Sequence, residues 1–487
     1  MLKKKNLGKS LSIIILSLFN YSCASEKLNT SYILESNKLK IRDYKNNQYI
    51  DKTNTKLNNN NKKYLLAGSA TIFDTSKDSF EHPSPKLSEE EKEKFEKGEI
   101  FFDQKWEVAS SDKSKNGLGP FFNSSSCVAC HVADGRGRPP KDGEQMETML
   151  LRLSVPGKGK YNEPLPSHNY GGQLQGFSIT DIKPEATVKI TYEEIQGKFA
   201  DGETYTLKKP IYKIENEAYG DFEKDIMISP RVANQMGGLG LLEDINEKDL
   251  LALADPDDKN NDGISGRPNY VWDEEKQKVS LGRFGWKSNQ PNIRQQVAGA
   301  FLGDIGITSP IFPKEEITEN QLSRLIVGNY INSNIPEINE EILDSVVVYS
   351  KNLSIPARRD VDNLEVIKGE KLFSGLSCNT CHVTDIKSKE EIIHPYTDLL
   401  LHDMGDDLAD NRPDFMANGN EWRTAPLWTI GLFQKVNGHT NYMHDGRANN
   451  LTEAILWHGG EANKSKEQFK QLTKEEREAL VSFLNTL

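Results

Sequence analysis

Helical spacing of apolar residues marks four segments of the chain. Apolar side chains recur every three or four residues from Ser88 to Phe102 and from Val361 to Phe373. That spacing keeps them on one face of a helix. The same spacing is present from Ile338 to Ser350 and from Leu472 to Leu487. The pattern predicts two helix pairs, each with an opening and a closing helix that bound one module.

A short repeat connects the two opening helices. Lys97-Gly-Glu-Ile-Phe101 and Lys368-Gly-Glu-Lys-Leu-Phe373 begin with the same three residues, which indicates that each opening helix starts a similar unit. Pro356 follows the first closing helix, and proline cannot continue a helix. We therefore predict one module over residues 66–355 and a second over residues 356–487.

The first module is more than twice as long as the second, and part of the excess alternates in polarity. Residues 185–225 include Thr187-Val-Lys-Ile-Thr191, in which polar and apolar side chains alternate as in a half-exposed strand. We expect a mainly α protein of two modules in tandem, the first enlarged by loops and a small β insertion.

The N-terminus has the layout of an export signal. Lys3-Lys4-Lys5 precedes an apolar run from Leu11 to Phe19, which is too short to span a bilayer comfortably. Residues 1–23 are therefore predicted to be an export signal, and the polar residues 24–65 a flexible linker. Cys23 stands where a lipoprotein signal has its acylated cysteine, so plain cleavage and a lipid anchor are both open. Either outcome predicts an exported protein, in the periplasm or anchored to a membrane.

Composition narrows the range of partners. The 487 residues carry a formal net charge of -11, whereas nucleic-acid binding rests on clustered Lys and Arg that neutralise phosphates. Nucleic acid is therefore not an expected partner. Small molecules and other proteins are the expected partners.

The cysteines supply the strongest chemical signal. Apart from Cys23, they form Cys127-Val-Ala-Cys130-His131 and Cys378-Asn-Thr-Cys381-His382. In such a motif the two thiols bond to a haem and the adjacent His binds its iron. A zinc site made of all four thiolates would not need a His beside each pair. The motifs predict two covalently bound haem c groups, with His131 and His382 as proximal ligands, and therefore two cytochrome c-like modules.

The sixth ligand of each iron decides what a haem can do, because a second strong ligand favours electron transfer and an open position admits a substrate. Spacing alone does not choose among the C-terminal candidates. These are His402, His439, His444, His458, Met404 and Met443.

Two longer stretches carry a family resemblance. Trp422-Arg-Thr-Ala-Pro-Leu-Trp428 and the segment from Tyr442 to His458 resemble the C-terminal module of bacterial di-haem cytochrome c peroxidases, and they are closer still to the related di-haem oxidoreductases. The resemblance covers roughly residues 66–487. Supporting stretches are Tyr170 to Gln175, Gly238 to Glu243, Gly282 to Lys287 and Asp398 to Gly405.

The resemblance implies an enzyme that reduces hydrogen peroxide or another small substrate. Electrons would come from a small periplasmic cytochrome c or copper protein and pass from the C-terminal to the N-terminal haem. His458 matches the position of the family's distal ligand, which implies an axial pair of His382 and His458. The alternative is that His458 bonds a propionate or a backbone carbonyl. His444, Arg447 and Arg423 are expected to line the propionates.

The N-terminal haem departs from the family. Classical peroxidases have a distal His shortly after the first motif, but residues 132–150 contain none. The iron is therefore either open or bound by a more distant residue such as His168 or Met236. Glu243 is the candidate catalytic acid/base, because peroxide cleavage needs a proton carrier and family members use a Glu in this module. An ordinary helix-end Glu is the alternative.

The absence of a distal His after the first motif favours a peroxide-reducing enzyme over two alternative functions. One is an electron-transfer cytochrome without peroxidase turnover, and the other is an oxidase of another protein or small-molecule substrate.

A separate pattern offers oxygen ligands at alternate positions. Asp258, Asn260 and Asp262 precede a glycine and Ser265, as in calcium loops, although Asn269 stands where the usual twelfth-position Glu is expected. The resemblance adds that di-haem peroxidases hold calcium between their haems. Calcium and a solvated turn both fit the pattern.

Overall fold

The architecture comes from a computed structural model. The predicted export signal, Cys23 and nearly all of the predicted linker lie outside the residues that it describes. None of the described helices is both long and apolar enough to cross a membrane. The described residues are 62–108, 115–327, 335–389 and 391–487.

All four helices predicted from apolar spacing are confirmed as α1, α7, α8 and α12, within two or three residues of their expected starts. Ser88 caps α1 by accepting a hydrogen bond from the Glu91 N–H, while the Glu91 side chain accepts one from the Ser88 N–H, so both free donors at the helix start are satisfied. The α-helices are α1 (Glu89–Asp103), α2 (Cys127–Cys130), α3 (Leu239–Glu243), α4 (Glu247–Leu251), α5 (Ile293–Ala300), α6 (Glu319–Val327), α7 (Glu340–Asn352), α8 (Leu364–Gly375), α9 (Phe433–Asn437), α10 (Leu451–Trp457), α11 (Asn463–Gln471) and α12 (Lys474–Leu484). A π-helix spans Phe301–Ile305, and 3-10 turns lie at Lys62–Tyr64, Gly68–Ala70, Val132–Asp134, Cys378–Thr380, Ile430–Leu432 and Gly460–Ala462.

The repeated glycine lies at a helix contact in both halves of the chain. Helix α1 packs on α7, and α8 packs on α12. A methyl group added at Gly98 would overlap the carbonyl oxygen of Ser345, and one at Gly369 would overlap that of Ala479. Each backbone pair can approach so closely only because glycine has no side chain. The repeat found in the sequence therefore encodes two equivalent helix contacts.

The expectation of a mainly α protein is wrong. The structure is 30% helix and 21% strand, with the strands spread over many small sheets. Most strands have only two to four residues, too few for an alternating pattern to be visible in the sequence. The strands are β1 (Thr71–Ile72), β2 (Phe121–Phe122), β3 (Met149–Lys158), β4 (Pro164–Leu165), β5 (Gln173–Leu174), β6 (Phe177–Ser178), β7 (Thr187–Lys198), β8 (Thr204–Glu215), β9 (Met227–Val232), β10 (Tyr270–Asp273), β11 (Lys278–Leu281), β12 (Ile355–Pro356), β13 (Ile386–Ser388), β14 (Glu391–Ile393), β15 (Leu401–Asp403) and β16 (Glu421–Arg423).

One four-stranded sheet supports the first cysteine motif. Strand β3 pairs with β4, β5 and β9 in antiparallel fashion. Leu151 of β3 lies opposite both Leu174 and Pro230. The other sheets have two strands each in the described part of the chain. Of these, β1 and β12 are parallel, with Thr71 opposite Ile355.

The predicted β insertion is confirmed as the hairpin β7–β8, in register from Thr187 opposite Glu215 to Lys198 opposite Thr204. Its tip reaches the C-terminal helices. The Phe199 and Phe469 rings lie 6.1 Å apart, and Arg477 forms an ion pair with Asp201 at 2.8 Å. An insertion from the first predicted module thus packs on helices of the second.

Candidate haem centres

The first motif presents one free imidazole nitrogen. Cys127 to Cys130 form the single turn α2, and the His131 N–H donates to the Cys127 carbonyl at 3.0 Å. His131 Nδ1 donates to the Asn234 carbonyl at 2.8 Å, which leaves Nε2 available for iron. Burial lowers the pKa of His131, so the ring is held in the neutral form that binds a metal.

A cavity of about 870 Å³ opens in front of this motif. Its wall includes Cys127, Cys130 and His131, and the volume is in the range of sites that hold large organic ligands. His131 is the only histidine among the lining residues. In the described part of the chain, no second imidazole therefore faces His131 across the cavity.

The two more distant ligand candidates are placed differently. The His168 side chain is 82% exposed, and its Nδ1 lies 2.9 Å from the Glu223 carboxylate. Met236 does line the cavity. It follows two residues after Asn234, whose carbonyl accepts the hydrogen bond from His131 Nδ1.

Glu243 ends α3 and is not among the residues that line the cavity. Its carboxylate accepts a hydrogen bond from the Ile293 N–H at 2.8 Å, at the start of α5, and pairs with Lys351. The structure thus does not bring Glu243 to the His131 cavity.

Buried cations crowd one part of the same cavity. Arg231 and Arg412 each lie 3.0 Å from the Asp414 carboxylate. Burial acts to raise the pKa of Asp414, but these cations outweigh it and hold the pKa at about 2. The neighbouring Lys287 is fully buried and pairs with Asp410 at 2.7 Å. Burial lowers the pKa of Lys287 to about 8, against the effect of its partner.

Several buried donors in the cavity wall have no hydrogen-bond partner in the described part of the chain. They are Arg152 Nε, Arg412 Nε and Trp428 Nε1. A buried donor without an acceptor is costly, so the wall is complementary to a group that carries acceptor atoms. Haem propionates are such groups, and the donor set therefore fits a haem.

Of the three residues expected at propionates, Arg423 lies at the cavity wall. Its Nε donates to the Gly285 carbonyl at 2.8 Å, and burial lowers its pKa to about 10. His444 is buried and stacks on Trp422 at 3.7 Å between ring centres. Arg447 pairs with Asp445 at 2.8 Å.

The second motif places two imidazoles opposite each other. His382 Nδ1 donates to the Tyr396 carbonyl at 2.9 Å, and His458 Nδ1 donates to the Ala454 carbonyl at 2.7 Å. The His382 and His458 ring centres lie 6.4 Å apart. With metal–nitrogen bonds of about 2.0–2.1 Å, two imidazoles on opposite sides of one metal have ring centres about 6.2–6.5 Å apart. The hydrogen bonds leave both Nε2 atoms free, and the distance between the ring centres suits one iron between them.

Electrostatics favour the neutral form of both rings. Burial and the neighbouring His458 lower the pKa of His382 to about 4, and burial lowers that of His458. A buried donor, Trp457 Nε1, lies next to His458 in the chain and has no hydrogen-bond partner among the described residues. It offers a contact for an acceptor group of a haem bound there.

Two other C-terminal histidines, His402 and His439, have hydrogen-bond partners of their own, although His402 Nδ1 also lies 3.6 Å from Cys381 Sγ of the second motif. His402 lies between two carboxylates, with Nε2 at 2.8 Å from Asp398 and Nδ1 at 2.7 Å from Glu461. These hydrogen bonds raise the pKa of His402 well above its usual value in spite of burial. His439 Nε2 lies 2.9 Å from the Arg136 carbonyl. Spacing could not make this distinction, because it depends on carbonyls and carboxylates supplied by distant segments.

The predicted calcium loop is exposed, and its side chains bond within the loop. The Asp262 N–H donates to Asp258 Oδ1 at 3.0 Å and to Asn260 Oδ1 at 2.9 Å. Beyond these residues, the Ser265 hydroxyl donates to Glu461 at 2.7 Å. Glu461 also contacts His402, so the end of the loop is connected to the second centre.

One polar group at the first cavity could not be identified from the sequence: Asp304, with Gln173 and Arg152 beside it. The one available signal was the Tyr170-Gly-Gly-Gln-Leu-Gln175 stretch, which was noted only as part of a resemblance. Asp304 sits in a segment with no distinctive pattern of its own.

Comparisons with known proteins give one family. No curated protein matches the chain. Among solved structures, a chain of hydrazine synthase from Kuenenia stuttgartiensis is 13% identical, and the alignment covers 84% of this chain and 94% of that one with a TM-score of 0.29. So low a score supports no conclusion about fold or function.

The family match covers most of the chain. Residues 63–487 match the family described as "di-haem oxidoreductase, putative peroxidase", which confirms the family indicated by the sequence motifs. The chain therefore belongs to the di-haem oxidoreductases.

Proposed function

We propose that this di-haem oxidoreductase reduces hydrogen peroxide at the haem of His131, with electrons relayed from the haem of His382. One observation carries the proposal: the His382 and His458 ring centres lie 6.4 Å apart, whereas His131 faces a cavity of about 870 Å³ that no other histidine of the described residues lines. Two strong axial ligands suit electron transfer, and an accessible iron suits a small substrate.

Both haems are proposed to be attached covalently. In each motif the two thiols precede the ligand by the spacing that a haem's vinyl groups require. Burial raises the pKa of Cys378 to about 12, so this thiol is not a reactive thiolate in the folded chain.

The overall reaction consumes one peroxide, two electrons and two protons and yields two waters. The iron supplies the redox chemistry when haem is bound. The chain's own residues hold the cofactor: His131 and His382 through Nε2, and the buried donors through the propionates. We propose a small periplasmic cytochrome c or copper protein as donor, in keeping with the export signal predicted over residues 1–23. A lipid anchor at Cys23 remains part of that prediction.

Calcium at Asp258, Asn260 and Asp262 is proposed as a second cofactor. The side-chain oxygens of Asp258 and Asn260 both accept a hydrogen bond from the Asp262 N–H, so they already lie close together. A bound calcium ion would take the place of this N–H as their common partner.

The test is peroxide-dependent oxidation of a reduced small cytochrome c by the purified holoprotein. Wild type should turn over, and Cys127→Ala/Cys130→Ala, which lacks the cavity haem, should not. Turnover that survives in that variant would contradict the proposed site. No turnover in wild type, together with two low-spin haems, would favour the electron-transfer alternative.

A further inference from the structure

The π-helix Phe301–Ile305 carries a carboxyl group into the His131 cavity. Asp304 lines the cavity together with Cys127 and Cys130. Burial and then the charge of Asp304 raise the pKa of Cys130 to about 12, so the carboxylate lies within electrostatic reach of the haem-binding thiols. Single π-turns in proteins occur frequently at functional sites.

Two glutamines fix the position of this π-helix. Gln173 Nε2 donates to Asp304 Oδ1 at 2.8 Å and to the Gly303 carbonyl at 2.9 Å. Gln175 Nε2 donates to the same carbonyl at 2.7 Å. Both glutamines belong to the Tyr170-Gly-Gly-Gln-Leu-Gln175 stretch, whose role is otherwise unexplained. The stretch therefore holds one carboxyl oxygen of Asp304 in place.

The second carboxyl oxygen remains available. In the described part of the chain, no hydrogen bond occupies Asp304 Oδ2. The residue is only half-buried although its neighbours Gly303 and Ile305 are buried, so the side chain has access to the cavity. The nearby charged groups are Arg152, which donates to Gln173 Oε1 at 3.1 Å, and Glu316. Burial raises the pKa of Asp304 against the opposing effects of Gln173 and Arg152, which favours a carboxyl that can hold a proton.

We propose that Asp304 is the catalytic acid/base of the His131 cavity, and that Gln173 positions it. This inference rests on the proposed peroxidase function. The carboxylate would accept the proton from one peroxide oxygen and deliver it to the other, which would leave as water when the O–O bond breaks. The remaining oxygen would be released as a second water after uptake of two protons. The haems, when bound, would supply the two electrons, and a reduced donor protein would replenish them.

Asp304 suits this role better than Glu243. The Glu243 carboxylate is committed to the Ile293 N–H and to Lys351, outside the cavity wall. Asp304 has one oxygen fixed and one oxygen available at the cavity. A general acid/base must come within hydrogen-bond reach of the proton it moves.

The first experiment compares variants of the holoprotein in peroxide turnover. Asp304→Asn should lower kcat by about 10²–10⁴-fold with little change in KM, and Asp304→Glu should recover part of the loss. Asp181→Asn is the matched control, because Asp181 lies on an exposed turn whose φ of 69° asparagine tolerates. It should retain full turnover. A large loss in Glu243→Gln with none in Asp304→Asn would overturn the proposal.

Gln173→Leu tests positioning. If Gln173 only supports the fold, the variant should lose stability but keep the wild-type pH profile of kcat. If it positions Asp304, the profile should shift, because the carboxyl loses the donor that favours its charged form. An unshifted profile would overturn the positioning role.

Cyanide binding to the ferric protein separates this inference from the proposed function. Hydrogen cyanide must lose its proton as cyanide binds iron, so Asp304→Asn should slow binding by about 10²-fold, the low end of the effect of acid/base assistance. If Asp304→Asn binds cyanide more slowly than wild type but wild type does not reduce peroxide, hydrogen peroxide is refuted as the substrate and the acid/base role of Asp304 is retained. Equal rates in wild type and Asp304→Asn would overturn Asp304 whatever the turnover. A wild-type protein that does not bind cyanide would overturn both.

Discussion

The two proposed haem modules contain equivalent helix contacts and differ in what faces the motif histidine. In each, a glycine lets two helices touch, at Gly98 and at Gly369. In each, the proximal Nδ1 donates to a carbonyl, at 2.8 Å in the first module and 2.9 Å in the second. Opposite His382 stands His458, whereas opposite His131 there is a cavity. Equivalent helix contacts therefore accompany a pair of facing histidines in one module and an open cavity in the other.

The difference between the two modules lies in segments that the sequence repeat does not include. The helices and the motif position the proposed haem ligand, and they are the parts that repeat in the sequence. The face opposite the ligand is formed by segments that do not repeat: α10 in the second module, and β3, β5 and the π-helix in the first. We expect these segments to determine what each centre does, and the following changes test that expectation.

The largest effect should come from removing one attachment motif. Cys378→Ala/Cys381→Ala should lower the mass of the denatured holoprotein by one haem, because thioether bonds survive denaturation. The remaining visible spectrum should be that of the open centre alone. Cys127→Ala/Cys130→Ala is the matched control and should leave the low-spin centre. Two covalent haems in either variant would contradict the assignment.

The next effect concerns the closed centre. His458→Ala should abolish its low-spin signal. His458→Met should create the weak near-infrared band of methionine ligation and raise the haem's potential, since a thioether stabilises ferrous iron relative to imidazole. His439→Ala should change neither property. If wild type already has the methionine band, or if His458→Ala keeps the low-spin signal, Met404 or Met443 becomes the better candidate.

The smallest effect tests the helix contact that the two modules have in common. Gly98→Ala and Gly369→Ala should each lower the free energy of unfolding by about 1–3 kcal/mol, because the added methyl group overlaps a backbone carbonyl. Gly375→Ala in α8 is the matched control, since no atom lies within 4 Å of a methyl group there, and it should be neutral or slightly stabilising. Denaturant unfolding of the three variants measures the difference. A loss in only one module would show that the two contacts are not equivalent.

Local sequence patterns were sufficient to predict the four helices that form these contacts and the long β-hairpin. Helices α1, α7, α8 and α12 follow from apolar spacing, and the hairpin β7–β8 follows from alternation, because each is long enough to show its period. The motifs indicated where the haems attach. The short strands could not be predicted in this way, which is why the fold class was wrong.

The residues that lie opposite His131 and His382 are positioned by contacts between distant segments of the chain. His402 and His458 look alike in sequence, but Asp398 and Glu461 engage His402, while only a carbonyl engages His458 Nδ1. Asp304 is likewise positioned by glutamines some 130 residues earlier in the chain. The distinction between a ligand, an ion-pair partner and an acid/base is therefore made by the fold and not by the motif.

The central claim is that one centre is closed and the other open. An electron paramagnetic resonance spectrum of the as-isolated ferric holoprotein tests it most directly. The account predicts one low-spin signal from the His382/His458 centre and one high-spin signal from the His131 centre, in equal amounts. Two low-spin signals, with no high-spin ferric haem, would contradict it.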